Sequence, residues 1–556
     1  MLRASATILA LVLSAWNSAA APHAAAHIRG AEYYERLQRA RQLTGVDNAQ
    51  SAELYEGLTE AYPDDVEVCL EFGNLLAQAI QYRKAAEAYS QSISRGGKFN
   101  AYVSHQIARL YALAGEKSLA LEWLEKSLMV PMEVRPQIAE DEAFLALRND
   151  DDFRRLGGLL PKRNFSREEG WNYDLDFLVS EIRRMHYTFR KSAISKGLED
   201  EIKGLRARIP QLSDELMVPE IQRIVARLGD GHSLVAKTPK RIPLSFYSFS
   251  DGLFVTDAPE ECGCIGDRVL GFGPTSAPEA MRRIEPFLSV DNPMGYRRYA
   301  PVYLHFPDYL VAAGIIPSNT EVAVSLQAQG GSARQFLARP VDSSDPHRKL
   351  FPSKTPVAGT VPRYLMHVDD LYWFEALDSG HTIYFQFNQV QDKPDEPVAQ
   401  FASRLRRAIL VPDVRNLIID VRHNNGGNLT LLPPLLRAII AFEETHDKPG
   451  LYLITGRQTF SAAQVFTNAL DEYTDVIVAG EPSSSRPNFV GEGSRTKLPY
   501  SGLLVTISAR YHQTDDQDDR IWIAPKIPVE LSSSDYFSNR DPVLDAVLRV
   551  ISKPQI

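Results

Sequence analysis

The C-terminal third of the chain alternates short apolar runs with amphipathic helix patterns, and this alternation limits the fold more than any other feature. Leu417-Ile418-Ile419, Leu451-Tyr452-Leu453-Ile454 and Val476-Ile477-Val478-Ala479 are unbroken apolar runs with the length of buried strands. Between the second and third lies a helix from about Ser461. Its apolar positions Ala462, Val465, Phe466, Ala469 and Leu470 are spaced i, i+3, i+4, i+7, i+8. Strand, helix and strand in this order imply a largely parallel, right-handed α/β unit. In such a unit the loops at the carboxyl ends of the strands are where ligands and reacting groups collect.

Three local features stand out against that frame. Ser461 falls at the first turn of a helix, where backbone N–H groups are unpaired and the dipole end is positive. A serine oxygen there could attack a carbonyl while the next amide, that of Ala462, receives the developing charge. The bland alternative is an N-cap serine. Asp420-Val421-Arg422-His423-Asn424-Asn425-Gly426-Gly427-Asn428 follows directly on a buried strand, and its two glycines let the backbone turn with its amides exposed. It reads either as a second source of oxyanion donors or as a plain glycine turn. Leu228-Gly229-Asp230-Gly231-His232-Ser233 places a histidine after a flexible turn at the end of a helix. An imidazole with an ordinary pKa can take a serine proton at neutral pH; a capping or surface histidine is the alternative.

Upstream the texture changes. Met1-Leu2-Arg3, an apolar run over residues 8–16 and the small residues Ser18-Ala19-Ala20 form the pattern of a secretory signal peptide over 1–20, with an uncleaved anchor as the alternative. No later segment is long and apolar enough for a span. The expectation is an exported protein, periplasmic or secreted, with no membrane span after signal cleavage. A repeat comes next. Ala77 pairs with Ala112, Ala85 with Ala120 and Ile93 with Leu128 after a shift of 35 residues. Small residues sit where two helices approach and large ones fill the groove, so 28–165 resembles tetratricopeptide repeats. Residues 50–66 read as a third, weaker helix pair. The repeats are either a docking surface for a protein partner or a helical cap on the next domain. Residues 166–239 are helical and carry His232; Leu175, Leu178, Ile182 and Met185 form one stripe. Residues 240–345 are short β-type runs, read as a small domain, 343–363 look like a linker, and 366–548 form the α/β core.

Composition narrows the function. Lys plus Arg is 61 against 70 Asp plus Glu, a net charge of −9, so no basic face points to nucleic acid. With 44% hydrophobic and 24% charged residues, wholesale disorder is excluded. Three cysteines, Cys69, Cys262 and Cys264, are too few for a disulfide scaffold, and all three read as small packing residues. No metal set and no phosphate-cradling loop is present, so no cofactor is implied.

Taken together and in this order, the motifs resemble the tail-specific or C-terminal-processing serine peptidases, in their tricorn-core and retinoid-binding-protein-like branch. The matching pieces are Gly229-Asp230-Gly231-His232-Ser233, Leu417-Ile418-Ile419-Asp420-Val421-Arg422 with Gly426-Gly427, and Thr459-Phe460-Ser461-Ala462-Ala463-Gln464. Gly480-Glu481-Pro482, Leu498-Pro499, Pro525, Ile527-Pro528-Val529-Glu530 and Asp541-Pro542-Val543-Leu544 extend the likeness over about 166–548. The resemblance implies a multidomain chain: α-helical repeats, then a crotonase-like (ClpP/crotonase) α/β peptidase core with a small β-rich insert, the insert a candidate degenerate PDZ-like module. It implies peptide-bond hydrolysis on a polypeptide substrate, Ser461 as nucleophile, and Ala462 with the Gly426-Gly427 turn as oxyanion hole.

One branch of the family uses a lysine base in a segment where this chain has Arg486, and an arginine cannot be deprotonated in a protein. Lys497 lies outside that motif. His232 is therefore the expected base, with activity rising through a pKa near 6–7. The resemblance places the orienting acid at Asp519, with Asp518, Asp515 and Glu492 as rivals; a solvated acidic loop is the alternative. Gln464 and Lys526 depart from the usual acids at their positions. The expected function is an exported serine endopeptidase. The alternatives are an inactive or weakly active ligand- or peptide-binding protein on the same scaffold, and a repeat-based periplasmic interaction scaffold.

Overall fold

The computed structural model describes residues 29–62, 65–94, 101–128, 135–236, 240–328, 330–342 and 360–552. The signal-peptide pattern over 1–20 and most of the linker expected over 343–363 lie outside them. The chain divides into two compact units, Met1–Phe165 and Ser166–Ile556.

The first unit is built of helix pairs: Ala31–Leu43 with Asn48–Ala61, Val66–Gln78 with Tyr82–Ser94, and Ala101–Leu113 with Lys117–Ser127. The first helix of each pair starts 35 residues after the last, at Ala31, Val66 and Ala101. Ala85, Ala108 and Ala120 are fully buried, as close helix approach requires. The third pair differs from the sequence reading. One helix, Asn48–Ala61, occupies most of 50–66, and its partner lies upstream. Ala31–Leu43 buries only Tyr33, Leu37, Ala40 and Leu43 amid charged residues, too thin a stripe to announce itself in the sequence. Ile138, Phe144 and Phe153 from the short helices after the third pair complete the same core.

The second unit is centred on a six-stranded sheet. Its order is Ile527–Pro528, Ile477–Gly480, Gly450–Thr455, Asn416–Asp420, Thr382–Phe387 and Tyr372–Leu377. The first five strands run parallel and the last is antiparallel. Leu417, Ile419, Leu451, Leu453 and Val478 face the helices Val398–Ile409, Pro433–Thr445 and Ala462–Tyr473. Their neighbours Ile418, Tyr452, Ile454 and Ala479 face Val543, Leu544 and Val547 of the helix Pro542–Ile551. Both faces are covered, which is why these strands read as continuous apolar runs rather than alternating ones.

Beside this core, the antiparallel strands Phe489–Lys497 and Leu504–His512 take Leu234–Val235 as a third member. Val505 and Ile507 pack on Leu175, Leu178 and Ile182 of the helix Arg167–Met185 and on Ile221, Ile224 and Val225 of Asp214–Ala226. That packing draws the turn before Leu234, and His232 with it, to the C-terminal part of the chain. The β-rich region is an antiparallel sheet of order Ser245–Phe249, Gly252–Asp257, Arg268–Phe272, Val322–Gln327 and Ala333–Ala338. Ala277, Ala280 and Ile284 of one helix and Ala300 and Val302 of Pro293–Tyr303 share its core.

Here the cysteine reading needs correction. Cys262 and Cys264 are joined in a disulfide, with their Cα atoms 5.1 Å apart. A short helical turn over Glu260–Cys262 followed by Gly263 in the left-handed region (φ 52°) reverses the chain within three residues. That reversal brings both Cα atoms into bridging range. Cys69 is free and buried. Among the described residues no helix is long and apolar enough to cross a membrane.

Candidate active site

Three loops meet at the carboxyl ends of the parallel strands. The first, 421–428, leaves the strand Asn416–Asp420. The second, 456–461, leaves Gly450–Thr455, and the third, 481–488, leaves Ile477–Gly480. Buried polar side chains fasten them to one another. Thr459 Oγ1 donates to the Val421 carbonyl at 2.8 Å and accepts from the Gly456 N–H at 3.1 Å. Asn424 Nδ2 donates to the Phe387 carbonyl at 2.9 Å, while the Asn424 carbonyl accepts from Phe460 N–H at 3.1 Å. The Thr459 carbonyl accepts from Ser484 N–H at 3.1 Å. Arg457, 2% exposed, forms an ion pair with Glu481 and donates to the Ser248 carbonyl at 2.7 Å. Loops tied this way hold their backbone against strain.

The strain is concentrated at Ser461. Its φ is 57° and its ψ is −122°, a conformation that costs a non-glycine residue roughly 1–3 kcal/mol. It directly precedes the helix Ala462–Tyr473, so the hydroxyl stands at the positive end of that helix. The Ser461 N–H donates to Ser485 Oγ at 3.2 Å. Gly426 lies against the serine: a methyl group in place of its α-hydrogen would come within 2.7 Å of Ser461 Cβ and 2.9 Å of the Ala462 nitrogen. Gly426 (φ 95°) and Gly427 (φ 139°) both use conformations that side chains rarely adopt. The Gly426 N–H is occupied, donating to Asn424 Oδ1 at 2.9 Å. The N–H groups of Gly427 and Ala462 donate to no hydrogen bond among the described residues. The glycine turn thus offers one free donor, the Gly427 N–H, because the Asn424 side chain satisfies the other.

His232 lies next to Phe460, the residue that precedes Ser461. Its ring stacks on Phe460 with centroids 4.3 Å apart and on Phe489 at 5.4 Å. Gly491 packs beside it, where a Cβ would meet the His232 ring at an ordinary contact distance of 3.4 Å. Both ring nitrogens are buried and neither makes a hydrogen bond of normal geometry. Burial lowers the pKa to about 4; the Asp230 carboxylate and the nearby Val490 carbonyl only partly offset this. The imidazole is therefore neutral at pH 7, as a base must be, but its depression puts the titration below the expected 6–7. The turn carrying it is anchored from beneath. Asp230 Oδ1 accepts from the N–H groups of His232 (2.9 Å) and Ser233 (2.7 Å) and from Ser508 Oγ (2.6 Å), while Oδ2 meets His186 Nε2 at 3.1 Å.

Ser461, Ala462, Gly426, Gly427 and His232 are brought into one neighbourhood. Asp519 is not. It is exposed in the loop after the hairpin, and with both His232 nitrogens unpartnered it does not orient the ring. Its rivals are engaged elsewhere: Asp518 with Arg520, and Glu492 with Arg510 and His512, while the Asp515 carbonyl accepts from Asn488. A buried acid beside the His232 turn comes from a part of the chain not singled out from the sequence. Asp291 Oδ1 accepts the Gly231 N–H at 2.7 Å, and Oδ2 is buried without a hydrogen-bond partner. Burial raises its pKa to about 7, with Ser485 and Arg486 acting in the opposite direction. In sequence, Asp291-Asn292-Pro293 looks like an ordinary helix start, and Asn292 does cap that helix. Nothing local marks Asp291 as facing a site built 170 residues later.

Comparison with known proteins gives the fold a set of relatives. The fold is shared with mature CPAF complexed with lactacystin, at a TM-score of 0.50 and 12% identity over 69% of this chain and 98% of that one. The photosystem II D1 C-terminal processing protease matches at a TM-score of 0.33 and 14% identity, over 70% of this chain and 98% of that one. The tricorn protease matches at 0.34 and 16% identity, over 70% of this chain and 37% of that one. The segment holding the three loops, residues 381–529, matches the family description "Peptidase family S41". That segment is similar to peptidase family S41, in line with the likeness of the motifs to the tail-specific proteases.

Proposed function

We propose that the protein is an exported serine endopeptidase in which Ser461 is the nucleophile and His232 its base. The observation that carries this reading is the backbone of Ser461, held in a strained left-handed turn at a helix N-terminus beside two undonated N–H groups. Ser461 Oγ attacks the substrate carbonyl carbon as its proton passes to His232. The oxyanion forms against the Gly427 and Ala462 N–H groups. The C–N bond then breaks, the imidazolium returns its proton to the leaving amine, and water hydrolyses the acyl-enzyme by the same route in reverse. The serine–histidine hydrogen bond forms when substrate enters and Phe460 yields, since catalytic contacts commonly tighten only in the substrate complex. Export is supported by the signal-peptide pattern over 1–20 and by the Cys262–Cys264 bridge, which fits an oxidising compartment.

The unpartnered nitrogens of His232 favour one competing reading, a peptide-binding protein without turnover. Hydrolysis of an unfolded polypeptide separates the two. The wild-type protein is expected to cleave it, and Ser461→Ala and His232→Ala to lower kcat by about 10^3-fold or more. Peptide binding without cleavage by wild type would establish the carrier instead.

A further inference from the structure

The β-rich region meets the site loops at several points, among them Asp291 and Asn292. Between its helices, Asp291 and Asn292 enter the space between the His232 turn and the third loop. Asn292 Nδ2 donates to the carbonyls of Ser483 (3.1 Å), Ser485 (3.1 Å) and Ile521 (2.9 Å). Arg486 Nε donates to the Asp291 carbonyl at 2.8 Å, and Arg298 reaches Ser484 Oγ at 3.1 Å. Asp291 thereby holds the base's turn directly, through the Gly231 N–H. The Ser485 hydroxyl oxygen accepts the N–H of Ser461 at 3.2 Å, and the Ser485 side chain favours the ionised form of Asp291.

We propose that Asp291 is a positioning residue for this peptidase: its carboxylate fixes the turn that carries His232, so that a side chain of the β-rich region sets the base in place for the nucleophile. This rests on the Ser461–His232 reading. An ionised carboxylate only accepts hydrogen bonds. It therefore accepts the Gly231 N–H at the base of the His232 turn. A protonated Asp291 weakens that tie, so the carboxylate is the active form. The groups around it are Asp230 and the following His232 on the turn, Arg298 on the helix Pro293–Tyr303, and Ser485 and Arg486 on the third loop. Asp230 and burial favour its proton; Ser485 and Arg486 oppose it.

The test is the inactivation rate by a fluorophosphonate probe between pH 5 and 9, with full-length protein. The wild-type rate should rise through a limb near 7 that belongs to Asp291. In Asp291→Asn the shape is kept and one acceptor remains. That variant should lose the limb and fall about 10- to 100-fold in maximal rate, with kcat for peptide hydrolysis reduced and KM little changed. Ser485→Ala removes the group that favours the carboxylate, so its limb should move to higher pH. An unchanged profile in both variants overturns the proposal, as does a loss confined to KM. If Asp291→Asn does not fold, the direction of the Ser485→Ala shift decides alone. Ser461→Ala is the control: its continued labelling would refute the nucleophile assignment, whereas loss of labelling there with normal profiles in the other two would refute only the role of Asp291.

Discussion

His232 illustrates how a residue's surroundings outweigh its type. A free imidazole titrates at 6.5, but stacking between Phe460 and Phe489 strips its water and brings the value to about 4. Between those two values the unfolded chain binds more protons than the native one, so stability rises with pH across that window and the neutral form's contribution is complete above 6.5. Calorimetric melting of His232→Phe, which keeps the stacking and removes the titration, should show a flatter rise between pH 4.5 and 6.5 than wild type. An identical slope would mean that the ring is solvated. Asp291 runs the other way. Its raised pKa contributes stability that is full below the ordinary carboxyl value of 3.8 and lost as pH rises through about 7. Between pH 5 and 8 the melting temperature of wild type should therefore fall more than that of Asp291→Asn.

At the scale of elements, the site is three strand-end loops held against one another, and its weak points are where backbone meets backbone. Gly427 has φ 139°, and a Cβ there would collide with the Val390 carbonyl. Gly427→Ala is expected to cost at least about 1–3 kcal/mol and to remove most activity by displacing a free N–H; wild-type kinetics in this variant would exclude the loop from the oxyanion site. Arg457→Met leaves Glu481 buried without its partner and should destabilise by about 3–5 kcal/mol in denaturant unfolding, an effect far larger than a surface ion pair would show.

Elements were also the level most legible in the sequence. The apolar runs around Ile418, Leu453 and Val478 announced a sheet covered on both faces, and the spacing from Ala462 to Leu470 announced the helix behind Ser461. What local pattern could not carry was pairing across distance. Asp291, a buried acid beside the His232 turn, is delivered by the packing of a separate sheet. The run from Asp515 to Asp519, plausible by its charge alone, is tied up by Asn488 and Arg520 or left in solvent. The Cys262–Cys264 bridge depended on one left-handed glycine, which two cysteines in a row of letters do not reveal.

For the molecule as a whole, the two units make separate predictions. Thiol titration of the unfolded, oxidised protein should find one free group, Cys69, and all three after reduction; three before reduction would contradict the bridge. Because the described core of the helical unit is its own, the chain from residue 166 onward should keep its labelling rate without the repeats. Loss of that rate would give the repeats a part in the chemistry. The most direct test of the central claim is to label the full-length protein with a fluorophosphonate and locate the adduct by peptide mass spectrometry. The account predicts one adduct, on Ser461, absent from Ser461→Ala and formed much more slowly in His232→Ala. An adduct on another residue, or equal labelling of Ser461→Ala, would contradict it.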